Sequence, residues 1–414
     1  MGDLQSTGGN PLIPDIGMSD PHVRVFDGQL YLYTGCDESP EDRTWVMRKW
    51  QVYRSGDLVH WSHQADITPD VTLMDENSSD CWACDAMQRN GKTYFYYSDR
   101  NRHIGVLVAD SPAGPFTSPR DSWLVDQHDP TILVDDDPAA TPYMVYGAKE
   151  HGGYFVVRLN NDMISLASEP RSVEILGRGW AEAPDWMDKN YIFKARGRYY
   201  LSWGADYATS DNIYGPYTWQ GRVGSGYELG PFAHGSFFGW RGQFYHIWCR
   251  YIRPGYKYRE SLLTYCHLCD DGELITDTRL LDRHFATGVG RYDASWDRIE
   301  AEWFTEAPAH AAKQKIDDQN LAVTNLRDGD TLVFANVDFA SRPGTFQLQI
   351  AGDVARGLVE IRLDELDSAP IGCASLPGGK SALPVHPSGT HDLLLTVRVP
   401  GSGQLALDSL RFTS

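Results

Sequence analysis

The sequence predicts an all-β protein in two parts: a five-bladed β-propeller over residues 1–296 and a β-sandwich of the jelly-roll type over residues 297–414. Three observations lead to this prediction. A phrase made of a turn glycine and an aromatic strand recurs through the first 300 residues, no convincing amphipathic helix interrupts it, and the composition then changes abruptly. A chain of 414 residues is also long for a single core, which agrees with two parts.

The recurring phrase has four clear copies and one looser copy. They are Asp27–Tyr33, Asn90–Tyr96, Arg196–Leu201 and Arg241–Trp248, with Thr141–Gly147 as the looser one. Asn-Gly or Asp-Gly followed by alternating aromatic residues is the strongest short signal for a β-hairpin. Five such all-β units, each of about 40–60 residues, favour propeller blades over a two-sheet sandwich.

The remaining chain has a different character. After Trp303 there is no Trp and no Tyr, although the whole chain contains 13 and 22 of them. Short alternating strands separated by Gly, Pro and Ser turns predict a β-sandwich. These strands are Thr331–Val337, Thr345–Ile350, Leu358–Leu363 and Leu393–Val399.

The charge balance narrows the class of partner. Lys and Arg number 37 against 56 Asp and Glu, so the formal net charge is −19. This argues against nucleic acid and against an anionic membrane, and it suits a neutral ligand such as a sugar. No apolar run approaches the roughly 20 residues of a membrane span. Residues 1–9 lack the apolar core of a signal peptide, which leaves localisation undecided, since a signal could have been removed.

Two CxxC pairs, Cys81–Cys84 and Cys266–Cys269, resemble the halves of a zinc site. However, each pair lies in a strand-like stretch, where residues three apart point to opposite faces. Buried free thiols are therefore the preferred interpretation, with zinc as the alternative.

Three carboxylates stand in related positions. Asp20 and Asp129 each lie in an Asp-Pro pair just before an aromatic hairpin, and Glu182 precedes Pro184 ahead of another. The first strands of propeller blades converge on the central channel, so the three acids are expected to meet in one pocket beside Trp82. Crowded carboxylates separate their pKa values, and glycoside hydrolysis needs one proton donor and one ionised carboxylate.

Simpler interpretations exist for each acid. Asp-Pro is a common turn former. Glu182, flanked by Trp180 and Trp186, could be a rim residue that accepts a hydrogen bond from an indole N–H, and Asp15 competes with Asp20 for the first role.

At these positions the sequence resembles glycoside hydrolase family 43 over roughly residues 10–295. Ser19–Val23 resembles the general-base segment, and His128–Pro130 is similar to the segment whose aspartate orients the acid and tunes its pKa. Glu182–Pro184 resembles the general-acid segment. Trp82–Asp85 is similar to a Trp-Ala-Pro-Asp motif, and His234 matches a histidine that often helps to hold a water-coordinated calcium ion.

The resemblance implies a five-bladed propeller and an inverting hydrolase that requires no cofactor for chemistry. Asp20 would deprotonate the attacking water, Asp129 would assist the acid, and Glu182 would protonate the departing oxygen. Trp82 would form an apolar wall of the sugar pocket, and Asp85 is a second substrate-binding candidate. His234 is a metal candidate, although a buried, hydrogen-bonded histidine is an alternative.

The C-terminal part resembles carbohydrate-binding module family 6 through Ile299–Glu302 and Leu407–Phe412, among other phrases. Glu300, Glu302 and Asp408 match positions near a structural calcium in that family, and oxygen ligands suit that ion. The loop Leu376–Ala382 lacks the family's tryptophan, so we expect a structural module with weak or no carbohydrate binding.

The leading function is therefore an exo-acting α-L-arabinofuranosidase that acts on a plant or algal polysaccharide. β-Xylosidase, arabinanase and galactan-cleaving activities are alternatives within the same class. A catalytically idle sugar-binding propeller and a cysteine-dependent metallohydrolase are alternatives from other classes.

Overall fold

The computed structural model describes residues 9–223, 234–317, 320–352, 356–401 and 403–413. Strands dominate, and the two α-helices of the described residues are short: α1 (Arg178–Ala181) and α2 (Thr278–His284). None of the described helices is long and apolar enough to cross a membrane. The predicted all-β class is confirmed.

Five successive sheets account for the predicted blades. The first contains β1 (Gly17–Phe26), β2 (Gln29–Asp37), β3 (Met47–Ser55) and β4 (Ser62–Ile67). The second contains β5 (Cys81–Arg89), β6 (Lys92–Asp99) and β7 (His103–Ala109). The third contains β8 (Thr131–Val134), β9 (Pro142–Ala148), β10 (Gly153–Arg158) and β11 (Arg171–Ser172). The fourth contains β12 (Ile175–Leu176), β13 (Asn190–Ala195), β14 (Arg198–Trp203), β15 (Asp206–Ser210) and β16 (Tyr217–Arg222). The fifth contains β17 (Gly235–Trp240), β18 (Gln243–Tyr251), β19 (Arg259–Leu268) and β20 (Leu274–Thr276).

The turn phrases form the hairpins that the sequence predicts. Asn90 and Gly91 both have positive φ, at 52° and 73°, and Arg89 pairs directly with Lys92. Two consecutive left-handed residues are the mark of a type I′ turn, whose twist matches that of the strands it joins. Asp27–Gly28 makes the same turn, with φ of 49° and 75°.

Aromatic clusters join consecutive sheets of the first four. Trp50 of the first sheet packs with Phe95 and Tyr97 of the second, and Tyr154 of the third packs with Trp203 of the fourth. Face-to-face packing of neighbouring sheets is how propeller blades bury their apolar side chains.

The C-terminal part forms two sheets, as expected for a sandwich. One has the order β21 (Tyr292–Asp293), β25 (Thr331–Asp338), β30 (Thr390–Arg398), β27 (Gly357–Leu363) and β28 (Gly372–Leu376). The other has the order β23 (Ala312–Lys315), β24 (Leu321–Leu326), β31 (Leu405–Thr413), β26 (Thr345–Ile350) and β29 (Lys380–Ala382), and β22 (Ile299–Glu300) pairs with β31.

Contacts between Cα atoms divide the chain into two compact units. The first comprises the residues up to Phe238 together with His246–Thr264, and the second comprises Gly239–Tyr245 with Tyr265–Ser414. The fifth sheet contributes to both. The domain limits expected from the sequence, at residues 296 and 297, stay a prediction.

Candidate active site

A cavity of about 360 Å³ lies in the first unit. Its lining combines acids, cations and aromatic rings: Asp20, Asp129, Glu150, Asp188, Lys189, Lys257, Arg259, Trp45, Trp82, Trp186, Tyr251, Ala83, Asn101 and His128. Carboxylates beside aromatic walls are what a site for hydrolysis of a sugar bond requires.

Asp20 reaches this cavity from a β-bulge in β1. The pairing register shifts between Ser19 and His22, and Asp20 has a φ of 49°. Arg259 Nη1 donates to both carboxylate oxygens of Asp20, at 3.1 and 3.0 Å, and His234 Nδ1 lies 3.1 Å from Oδ1. Burial alone would raise the pKa of Asp20, but Arg259 and His234 outweigh it and hold the pKa well below its usual range. Asp20 is therefore an ionised carboxylate.

Arg259 is a site residue that the sequence analysis missed. It lies at the start of β19, and Asp37 accepts from its Nε and Nη2 at 3.0 and 2.9 Å. The guanidinium thus joins the buried carboxylates of Asp37 and Asp20. Because the three residues lie on different strands, no local sequence pattern predicts that Arg259 contacts Asp20 and Asp37.

Asp129 lies two residues before β8 and also has positive φ, at 59°. Its Oδ2 accepts from the backbone N–H of Lys189 at 3.1 Å and lies 3.8 Å from His234 Nδ1. His234 therefore contacts both Asp20 and Asp129, so the structure brings these two predicted acids together.

Glu182 is not brought into this cavity, and the expectation that the three acids share one mouth is wrong for it. It caps the C-terminal end of α1, its side chain is 67% exposed, and its Oε2 lies 3.6 Å from Arg178 Nε. It borders a different cavity, beside Trp219 and Arg222. The reason is local: a helical turn and the segment up to Asp188 separate Glu182 from the start of β13.

Asp188 lines the cavity instead, and it was not predicted. It stands two residues before β13, as Asp129 stands two residues before β8. The number of residues between each acid and the glycine of the next hairpin distinguishes Asp188 from Glu182. Asp20 lies eight residues before Gly28 and Asp188 lies nine before Gly197, whereas Glu182 lies fifteen before Gly197.

The two predicted substrate-binding residues have different surroundings. Trp82 lines the cavity, and its ring centroid lies 5.4 Å from that of Trp45. Asp85 is fully buried: Arg24 Nε donates to its Oδ1 at 2.8 Å, and Ile132 N donates to its Oδ2 at 2.7 Å. The substrate-binding prediction for Asp85 is therefore corrected to a structural ion pair. The sequence could not show this because Arg24 belongs to another blade.

Comparisons with known proteins place this site in a family. The model of glycosyl hydrolases family 43 matches residues 9–225, more than half of the chain. The chain belongs to glycosyl hydrolase family 43. Enzymes of this family are inverting glycoside hydrolases, and their catalysis needs no cofactor. The model of carbohydrate binding module family 6 matches residues 300–414, which confirms the second resemblance.

The individual proteins that this chain resembles are also named as glycosidases or as family 43 structures. An arabinoxylan arabinofuranohydrolase of Paenibacillus polymyxa is 26% identical over 98% of this chain and 74% of its own length. A xylosidase/arabinosidase of Bacteroides ovatus is 29% identical over 51% of this chain and 79% of its own length. The GH43_1 enzyme from Xanthomonas citri, solved with xylotriose, is 28% identical, with a TM-score of 0.57 over 65% of this chain and 92% of its own. An arabinoxylan arabinofuranohydrolase from Bacillus subtilis covers 98% of both chains with a TM-score of 0.58, and its 22% identity supports the fold alone.

The family resemblance implies an ion near His234, and one atom of this residue fits that role. His234 is 1% exposed, and its Nδ1 contacts the carboxylates of Asp20 and Asp129. Its Nε2 is buried and has no hydrogen-bond partner among the described residues. One free imidazole nitrogen could hold an ion through water. Calcium at this position stays a prediction.

The acids predicted to hold calcium in the C-terminal module all form ion pairs with arginines. Arg298 donates from Nε to Glu300 at 2.6 Å and from Nη2 to Asp408 at 2.7 Å. Glu302 forms a close ion pair with Arg279. Guanidinium groups thus contact all three carboxylates, and one oxygen of Glu302 also lies within 4.8 Å of side-chain atoms of His267 and Asp277, in a group that could hold a metal ion. Calcium at Glu300, Glu302 and Asp408 stays a prediction.

The seven cysteines are free thiols. Cys81, Cys84, Cys266 and Cys269 are buried, as the preferred interpretation expected. None of them belongs to a cluster of metal-ligating side chains among the residues that the structure describes.

Proposed function

We propose that this family 43 enzyme is an exo-acting glycosidase that removes a pentose from a plant or algal polysaccharide, with α-L-arabinofuranose as the first candidate. The observation that carries the proposal is the meeting of Asp20 and Asp129 at His234, beside a cavity walled by tryptophans. The names of the relatives, arabinoxylan arabinofuranohydrolase and xylosidase/arabinosidase, support the sugar class.

The size of the cavity supports exo action. About 360 Å³ lies at the lower end of the range for small-molecule pockets, which suits a terminal or branching sugar unit better than a run of several units. Trp82 and Trp45 offer apolar faces to such a ring.

In the proposed mechanism Asp20 is the general base. Its carboxylate stays ionised because Arg259 and His234 hold its pKa down, so it can accept a proton from the water that attacks the anomeric carbon. Asp129 is a positioning residue: it accepts from the Lys189 backbone and thereby fixes the segment that carries Asp188.

The test is turnover of a panel of aryl glycosides, with NMR detection of the anomer that is released first. The wild-type protein should cleave an aryl α-L-arabinofuranoside or an aryl β-xyloside with inversion. Activity only on internal bonds of a linear polysaccharide would contradict exo action. Binding without any turnover would favour the idle sugar-binding alternative.

We also propose that a calcium ion occupies the channel beside His234, held through water. The support is the buried, unpartnered Nε2 of this residue. The ion would stabilise the propeller and take no part in the chemistry.

A further inference from the structure

Asp188 is one of four acids that line the cavity, with Asp20, Asp129 and Glu150. One carboxylate oxygen of Asp188, one of Asp129 and one imidazole nitrogen of His128 all lie within 4.8 Å of one another. The Asp188 side chain is 18% exposed. A carboxyl group that is partly accessible and lies beside two other titratable groups is a candidate for proton transfer.

Asp188 is paired with a histidine. His128 Nε2 lies 3.5 Å from Asp188 Oδ2, and the His128 side chain is 3% exposed. Lys189 Nζ lies 3.1 Å from Asp188 Oδ1, close enough for an ion pair although the angle does not make a hydrogen bond.

Glu182 cannot take this part in the arrangement that the structure shows. It lies in a separate cavity with Trp219 and Arg222 and forms an exposed ion pair with Arg178.

We propose that Asp188, together with His128, is the proton donor of the hydrolysis in place of Glu182. This inference rests on the proposed glycosidase function. Burial would raise the pKa of Asp188, but Lys189 and His128 outweigh it and hold that pKa well below its usual range. Burial lowers the pKa of His128, but Asp129 and Asp188 outweigh it and raise that pKa, so in the resting pair the proton resides on the imidazole and Asp188 passes it on.

The proton of His128 Nε2 moves to Asp188 Oδ2 and from there to the glycosidic oxygen. The bond between that oxygen and the anomeric carbon breaks, and the oxygen keeps the electron pair. Water bonds to the anomeric carbon from the opposite face and gives its proton to Asp20. Solvent then returns that proton to the pair.

The test compares Asp188→Asn with Glu182→Gln on aryl glycosides that differ only in leaving group. A dinitrophenyl group departs without help, whereas an unsubstituted phenyl group needs a proton. Asp188→Asn should lower kcat on the phenyl glycoside by about 100-fold or more and on the dinitrophenyl glycoside by less than about 10-fold. Glu182→Gln and the control Asp185→Asn, an exposed residue of the same segment, should match the wild type on both.

Two outcomes overturn the inference. One is a leaving-group effect in Glu182→Gln that Asp188→Asn lacks, and another is an equal loss by Asp188→Asn on both substrates, which indicates a positioning role. If Asp188→Asn does not fold, as judged by circular dichroism, His128→Gln replaces it and must show the same preference for the better leaving group. A wild-type protein that cleaves neither glycoside overturns the proposed function itself.

Discussion

Carboxylates gather around arginines in both units of this protein, with different consequences. In the first unit, Arg259 binds Asp20 and Asp37, and both Asp20 and Arg259 line a cavity of about 360 Å³. In the second unit, Arg298 binds Glu300 and Asp408, whose side chains are only 2% and 6% exposed.

The comparison shows that burial and an arginine partner do not by themselves distinguish a catalytic acid from a structural one. A buried ion pair contributes little net stability over well-packed apolar groups, but breaking it leaves a costly unpaired charge. In the second unit that penalty is the main consequence of a substitution. In the first unit the same contact also holds a carboxylate ionised beside a space that a substrate can enter.

The largest expected effect is on Asp20. Asp20→Asn should lower kcat/KM on an aryl α-L-arabinofuranoside by about 10³-fold, because an amide cannot accept the proton of water. Asp27→Asn is the matched control, since Asp27 has the same φ of 49° at the end of the same strand pair but is exposed. Equal activity of Asp20→Asn and Asp27→Asn would show that the arginine-bound carboxylate of the first unit is not catalytic, and so does not differ in role from those of the second unit.

Loss of Arg298 should act on stability. Arg298→Met leaves Asp408 without its arginine and Glu300 with only the longer contacts to Arg279 and Arg283, both at 3.7 Å. We expect the free energy of unfolding to fall by about 3 kcal/mol. This is the low end for a broken buried pair, because Arg298 is itself 29% exposed.

Chemical denaturation measures this loss. Arg411→Met is the control: its contact with the exposed Asp297 spans 3.5 Å, and its loss should cost less than about 1 kcal/mol. Similar losses of unfolding free energy in the two variants would show that breaking the buried ion pairs of Arg298 costs no more than breaking an exposed one.

A smaller effect is expected for Trp82. Trp82→Ala should lower the affinity for the sugar by about 1–2 kcal/mol, or roughly 5–30-fold in KM, because an apolar wall of the cavity is lost. Trp82→Phe should keep most of the affinity. An unchanged KM in Trp82→Ala would mean that the sugar binds elsewhere.

The smallest effect concerns calcium. After treatment with a chelator, addition of calcium at about tenfold its dissociation constant should raise the free energy of unfolding by no more than about 1.4 kcal/mol. The response should disappear in His234→Gln, with thermal unfolding as the readout. A calcium response that survives in His234→Gln would place the ion elsewhere.

The sequence predicted most where the cause is local. The hairpins at Asn90–Gly91 and Asp27–Gly28 follow from residues that tolerate positive φ. Asp20 and Asp129 were recognised because each lies beside a proline at the start of a blade.

The site features that the sequence did not predict have two causes. Asp188 is followed by Lys189 and not by proline, whereas the nearby Glu182–Pro184 resembles the general-acid segment and was chosen in its place. Arg259, Asp85 and the Arg298 network depend on pairing between strands far apart in the chain. Such pairing is set by three-dimensional register, which a single sequence does not reveal.

The most direct test of the account is a crystal structure of the Asp20→Asn variant with an arabinose- or xylose-containing oligosaccharide. The account predicts a terminal sugar in the 360 Å³ cavity, against Trp82, with its anomeric carbon between residue 20 and Asp188. A sugar seated instead in the cavity of Glu182 and Trp219 would contradict it.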